Sequence, residues 1–196
     1  MTQITFSIPN DQDAELLLSL AKRLNAEVVE IQSNDQLSEI DFWKLIAQID
    51  LSDTAWEADT ATDKLVKILS QKSVATIQQF QDILAAKLFA LDKKLFAQQL
   101  AERYAWQLDQ PFSSDHFLYA RAYVIAQGKY FYEKVLKNPA LMPQNEVFEE
   151  LLYVAATAYE KKTGEAFNYI PSVSFETFSN PDGWEKTLTE RLNSPS

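Results

Sequence analysis

The sequence predicts a mainly α-helical protein, a bundle of five or six helices over residues 38–196 preceded by a small β-α-β arm at residues 1–33. Three observations predict it. From Ser38 onward apolar residues recur at steps of three and four, the period of a helix with one buried face. In the first 31 residues two short runs, Ile4-Phe6-Ile8 and Val28-Val29-Ile31, have strand character and flank a helical pattern. Serines and asparagines stand where helices start, and prolines where they stop.

The arm comes first. Ile4, Phe6 and Ile8 alternate with Thr5 and Ser7 up to Pro9, after which Asn10 is placed to cap a helix carrying Leu16, Leu17, Leu20, Ala21 and Leu24. Two strands make a poor isolated sheet, so their edges need cover from the chain itself or from a second copy. The polar run QSNDQLS at 32–38 then connects to the bundle. Ser38 and Asp41 stand at capping-box spacing ahead of Phe42, Trp43, Ile46 and Ile49. An irregular stretch from Leu51 to Asp59 leads to a helix with Leu65, Ile68 and Leu69. Ser73 is placed to cap the next helix, whose apolar stripe is Ile77, Phe80, Leu84, Leu88, Leu91 and Leu95. Ser113 or Ser114 begins a further helix reaching towards Leu136 and ending before Pro139. The last long helix is expected over Glu146 to Thr163 with Gly164 as its left-handed cap, followed by a wrapping tail with one helical turn near 184–192.

Composition narrows the function. The chain has 196 residues, enough for a core without staples, and no cysteine, which excludes disulfides, thiolate chemistry and cysteine-held metals. One histidine excludes a multi-histidine metal site, and three separated glycines exclude the glycine-rich loops of nucleotide enzymes. No metal and no cofactor are expected. The net charge is −10 with no Lys/Arg stripe, so neither nucleic acid nor an anionic membrane surface is an expected partner. The start MTQITFSIPND shows no leader and no apolar run is long enough to span a bilayer, so a cytoplasmic protein is expected.

The candidate site residues centre on SSDHFLYARAYVIAQGKYFYEKVL at 113–136. At 100° per residue, Arg121 and Gly128 fall on the face of Phe117, Val124, Ile125, Phe131, Tyr132 and Val135. An arginine there needs a carboxylate or carbonyl partner, because an unpaired buried charge is very costly. It either pairs structurally, with Glu150 or Asp115, or holds an anionic ligand in an interhelical cleft. Gly128 at helix centre suits a close backbone crossing. His116 beside Asp115 reads either as a boundary residue or as a base. Glu149 and Glu150, about 100° apart on a helix, form no two-carboxylate clamp. Tyr119 and Trp106 complete the set of ligand or partner candidates, as aromatic anchors of the kind interfaces favour.

The segment from Phe42 to about Glu185 resembles the bacterial domain-of-unknown-function family 4240. The resemblance is carried by FWKLI at 42–46, RYAW at 103–106, the block at 113–136, NPALM at 138–142 and ELLYVAATAYEKKTG at 150–164. It implies a helical domain and brings no activity with it. The first 31 residues resemble the short β-α-β leaders of some antitoxins, which implies self-association or partner docking. The expected function is a non-enzymatic interaction or regulatory module, antitoxin-like or immunity-like, with a homodimer formed through the arm and a further protein partner. The alternative is a hydrolase or a binder of a small anion, using a cleft around Arg121.

Overall fold

The computed structural model describes residues 11–24, 26, 36–51, 61–103 and 113–184. The chain divides into two units, residues 1–36 and residues 37–196. In the first unit the described structure is helix α1 (Asp11–Arg23), extended by a hydrogen bond from the Leu24 amide to Leu20 O at 3.0 Å.

The expected β-α-β arm is corrected here, because the described residues form helices and turns and include no strand. The segments read as strands, 4–8 and 28–31, lie outside the described residues. The physical reason favours the helix. An isolated helix satisfies its own backbone donors and acceptors, whereas two short strands leave their outer edges unpaired. The likeness to antitoxin leaders rested on those strands and falls with them.

The second unit is helical. Helix α2 (Glu39–Ile46) starts where the sequence expected, with Ser38 Oγ accepting the Asp41 amide at 3.1 Å, and it buries Phe42, Trp43, Leu45 and Ile46. Helix α3 (Asp63–Ser70) buries Leu65, Val66 and Leu69. Ser73 caps α4 (Val74–Leu91) through the Thr76 amide, and α4 packs against α2, α3, α6 and α8. Its stripe Ile77, Phe80, Leu84, Leu88 and Leu91 is fully enclosed and forms the middle of the core.

The stripe was expected to continue to Leu95, but α4 stops at Asp92, and α5 (Lys94–Arg103) is a separate helix. Leu95 is left 38% exposed. The long helix expected from Ser114 towards Leu136 is also two helices, α6 (Ser114–Ala126) and α7 (Lys129–Lys137). Gly128 lies between them with φ +89°, a conformation that side chains with a Cβ rarely adopt. A Cβ placed there would meet nothing within 4 Å, so the glycine serves the turn and not a close crossing. A 3₁₀ segment, Glu149–Tyr153, leads into α8 (Val154–Thr163), which ends on Gly164 in the left-handed conformation.

Beyond α8 the chain wraps back over the bundle to Trp184. Half-buried Phe167, Phe175 and Trp184 pack on the core. Asp82 and Asp92, both on or at the end of α4, hold this tail. Asp82 accepts from the Tyr169 hydroxyl at 2.5 Å and the Ser172 amide at 2.8 Å. Asp92, wholly buried, accepts from the amides of Phe178 and Asn180, from Ser179 Oγ and from Trp184 Nε1. The tail also runs so close to α4 that a Cβ on Gly183 would sit 2.8 Å from Asp92 O, so only glycine fits.

Candidate functional site

Helix α6 places four of the expected residues. Ser113 Oγ accepts the His116 amide at 3.2 Å, which fixes the first turn and sets Asp115 exposed and His116 half-buried at the helix start. From there the periodicity sends Phe117 and Arg121 inward, while Tyr119, two residues from Arg121, faces a different neighbour.

Arg121 is fully enclosed. Its Nη1 donates to Leu88 O at 2.9 Å and its Nη2 donates to Thr177 Oγ1 at 2.9 Å. The guanidinium carbon lies 4.7 Å from the centre of the Phe117 ring, a cation–π contact that stands in part for solvation. Nε is buried without a hydrogen-bond partner. Burial lowers the guanidinium to about 10, against a smaller opposing pull from the charges of Asp92 and Glu176. Thr177 completes the arrangement by donating its hydroxyl proton to Ser114 O at 2.8 Å, which leaves its oxygen lone pairs for Arg121. The tail, α4 and α6 therefore meet on one side chain.

The partner of Arg121 differs from the expected ion pair. Neither Glu150 nor Asp115 bonds to it; its hydrogen bonds go to a backbone carbonyl and a hydroxyl, and two carboxylates act only through space. The cost of burying the charge is met by neutral oxygens and an aromatic face, and no atom of Arg121 is left exposed to a ligand.

Tyr119 belongs to a separate cluster near the surface. Its phenol is pushed up by a hydrogen bond with Glu149, and the Phe148 amide donates to Tyr119 O at 3.1 Å, tying α6 to the 3₁₀ segment. Tyr153 donates to Glu149 Oε1 at 2.5 Å and is raised to about 12, first by that hydrogen bond and then by desolvation. Glu149 thus sits between two phenols. Glu150 is exposed and reaches Tyr153 only as a nearby charge. Trp106 lies outside the described residues.

The structure brings the expected residues to two places, Arg121 in the core and Tyr119 with Glu149 on the flank, and does not bring them to one. Sequence reasoning missed Asp92, Thr177 and the choice of Glu149 over Glu150. The one local signal for Asp92 is that it interrupts an apolar run ahead of Lys93 and Lys94. No local signal marks Thr177. Among the described residues no group of three or more His, Asp or Glu side chains is placed to hold a metal, and no helix is long and apolar enough to cross a membrane.

These features define an α-helical domain whose central arginine and wrapping tail are joined by internal hydrogen bonds. Residues 37–161 match the model of a protein family of unknown function, DUF4240, and the chain belongs to that family. It matches no curated protein and no solved structure.

Proposed function

We propose that this protein acts by binding protein and not by catalysis, and that its N-terminal unit joins two copies into a homodimer. The observation that carries the reading is on α1, where Leu16, Leu20 and Leu24 are 72%, 47% and 70% exposed. Three open leucines on one short helix form a continuous apolar strip, of the kind that marks contact surfaces. The polar side chains of the helical domain point the same way. Arg121, Asp92 and Thr177 spend their hydrogen bonds on the fold itself, so the most chemically capable cluster is occupied by its own chain.

Size-exclusion chromatography with light scattering, run over a hundredfold range of concentration, tests this. The full chain is expected to elute as a dimer that dissociates on dilution, and the chain lacking residues 1–33 as a monomer. A full chain that is monomeric throughout, unchanged by the deletion, refutes the proposal.

A further inference from the structure

We infer that Arg121 is a binding site for the carboxylate group of a small molecule, held closed by the chain's own tail: the Thr177 hydroxyl occupies the edge of the guanidinium that the carboxylate takes, and the ligand enters by displacing it. This goes beyond the proposed self-association of the N-terminal unit and does not depend on it. Arg121 is fully enclosed, and burial lowers its pKa only to about 10, so it is a buried cation at neutral pH. No carboxylate bonds to it; Asp92 and Glu176 act on it only through space. A buried charge without a bonded counter-ion is costly, and an arriving anion relieves that cost.

The position open to the ligand has a defined geometry. A guanidinium holds its N–H donors in a rigid plane, and Nε and Nη2 point in parallel off one edge. On Arg121 the opposite corner is fixed, since Nη1 donates to Leu88 O of α4 at 2.9 Å. The Nε–Nη2 edge is not matched. Nη2 meets a single neutral oxygen, Thr177 Oγ1 at 2.9 Å, and the buried Nε meets none. A carboxylate supplies two coplanar oxygens and takes both donors at once. Its single charge also suits the site better than a phosphate dianion, because Asp92 and Glu176 already bring negative charge to it.

The tail is suited to yield at this point. Among the described residues it makes no backbone–backbone hydrogen bond to the helices beyond Gly164; those it makes, Ser179 N to Glu176 O and Gly183 N to Asn180 O, lie within itself. Thr177 is held by its own hydroxyl, which donates to Ser114 O at 2.8 Å. The next residue, Phe178, has φ +73°, a left-handed conformation unfavourable for a bulky side chain, and it is 57% exposed. Lifting Thr177 therefore breaks no backbone ladder and releases strain at its neighbour.

Nitrogen-edited NMR of the full chain tests this through the Arg121 Nε–H signal, assigned by its bonded Cδ. Sodium acetate is titrated against sodium chloride of equal ionic strength, with sodium phosphate as a third arm. Acetate is expected to shift the signal saturably, with a Kd on the order of 1 mM for one bidentate contact to so small a ligand. Chloride is expected to leave it in place, and phosphate to bind more weakly than acetate. Thr177→Val keeps the shape of the side chain and removes the competing hydroxyl, so it should bind acetate about tenfold more tightly, the worth of one displaced hydrogen bond. A wild-type signal that acetate does not shift saturably up to about a hundred times that Kd overturns the inference, whatever the variant does. Equal shifts with chloride, or tighter binding of phosphate, overturn it too. Equal affinity in wild type and folded Thr177→Val means that acetate reaches Arg121 without displacing the tail, which also refutes it.

Discussion

In α4 the stripe Ile77, Phe80, Leu84, Leu88 and Leu91 is fully enclosed, whereas α1 leaves Leu16, Leu20 and Leu24 largely open to solvent. Both helices repeat apolar residues at steps of three and four, so periodicity alone does not separate them. The neighbours do. Helix α4 is packed by α2, α3, α6 and α8, and two carboxylates along it hold the tail. The difference teaches that the same pattern in one chain builds a core in one unit and leaves an open apolar strip in the other.

The comparison is broken most forcefully from the α4 side. Leu84→Ala is expected to cost ~2–5 kcal/mol of folding free energy, since it leaves a cavity in a filled core. Denaturant unfolding should show it, with no change in oligomeric state of the folded protein. Asp92→Ala should cost on the order of 3 kcal/mol, because several donors lose one buried acceptor together. Limited proteolysis is the sharper reading there: cleavage within residues 165–184 should precede global unfolding in the variant and not in the wild type.

Gly128→Ala should cost ~1–3 kcal/mol, entirely through a backbone (φ +89°, ψ 172°) that only glycine adopts readily, since no neighbour stands in the way of a Cβ. A wild-type melting temperature in that variant would mean that the α6–α7 junction relaxes to another geometry. A smaller effect follows from acid. Lys87 Nζ lies 2.7 Å from Glu39 Oε1 and Trp43 Nε1 also donates to that oxygen, and these bonds hold the Glu39 carboxyl below its ordinary 4.5. On acidification the unfolded chain takes up this proton first, so the contribution is complete above pH 4.5 and is lost as pH falls through the lower folded value. The stability gap between wild type and Glu39→Gln should therefore narrow below that pH when melting is followed as a function of acidity.

The smallest effect on stability is expected on α1. Leu20→Ser should move the unfolding free energy by no more than about 0.5 kcal/mol, as for other exposed sites, while weakening the proposed dimer. A large loss of stability in a monomeric sample would show that Leu20 packs within its own chain and would erase the contrast with α4.

What the sequence by itself determined about this protein is what depends on near neighbours in the chain. Ser38, Ser73 and Ser113 each cap a helix, because a hydroxyl three residues before a free amide needs no other part of the fold. Gly164 closes α8 for the same local reason, and the apolar stripes chose the buried faces, Arg121 included, because a helix's period is fixed by its backbone. The tertiary structure alone decided the rest. The Ile77–Leu95 pattern runs on through Asp92, yet the helix ends there, where the carboxylate meets donors at 178–184 that no local reading connects to it. Arg121 was placed correctly, but its partners, Leu88 O and Thr177, stand 33 and 56 residues away, and a need for oxygen does not specify which oxygen. The arm shows the same limit in reverse. Alternation suggested strands, but a strand exists only through a partner strand, whereas a helix such as α1 carries its own backbone hydrogen bonds.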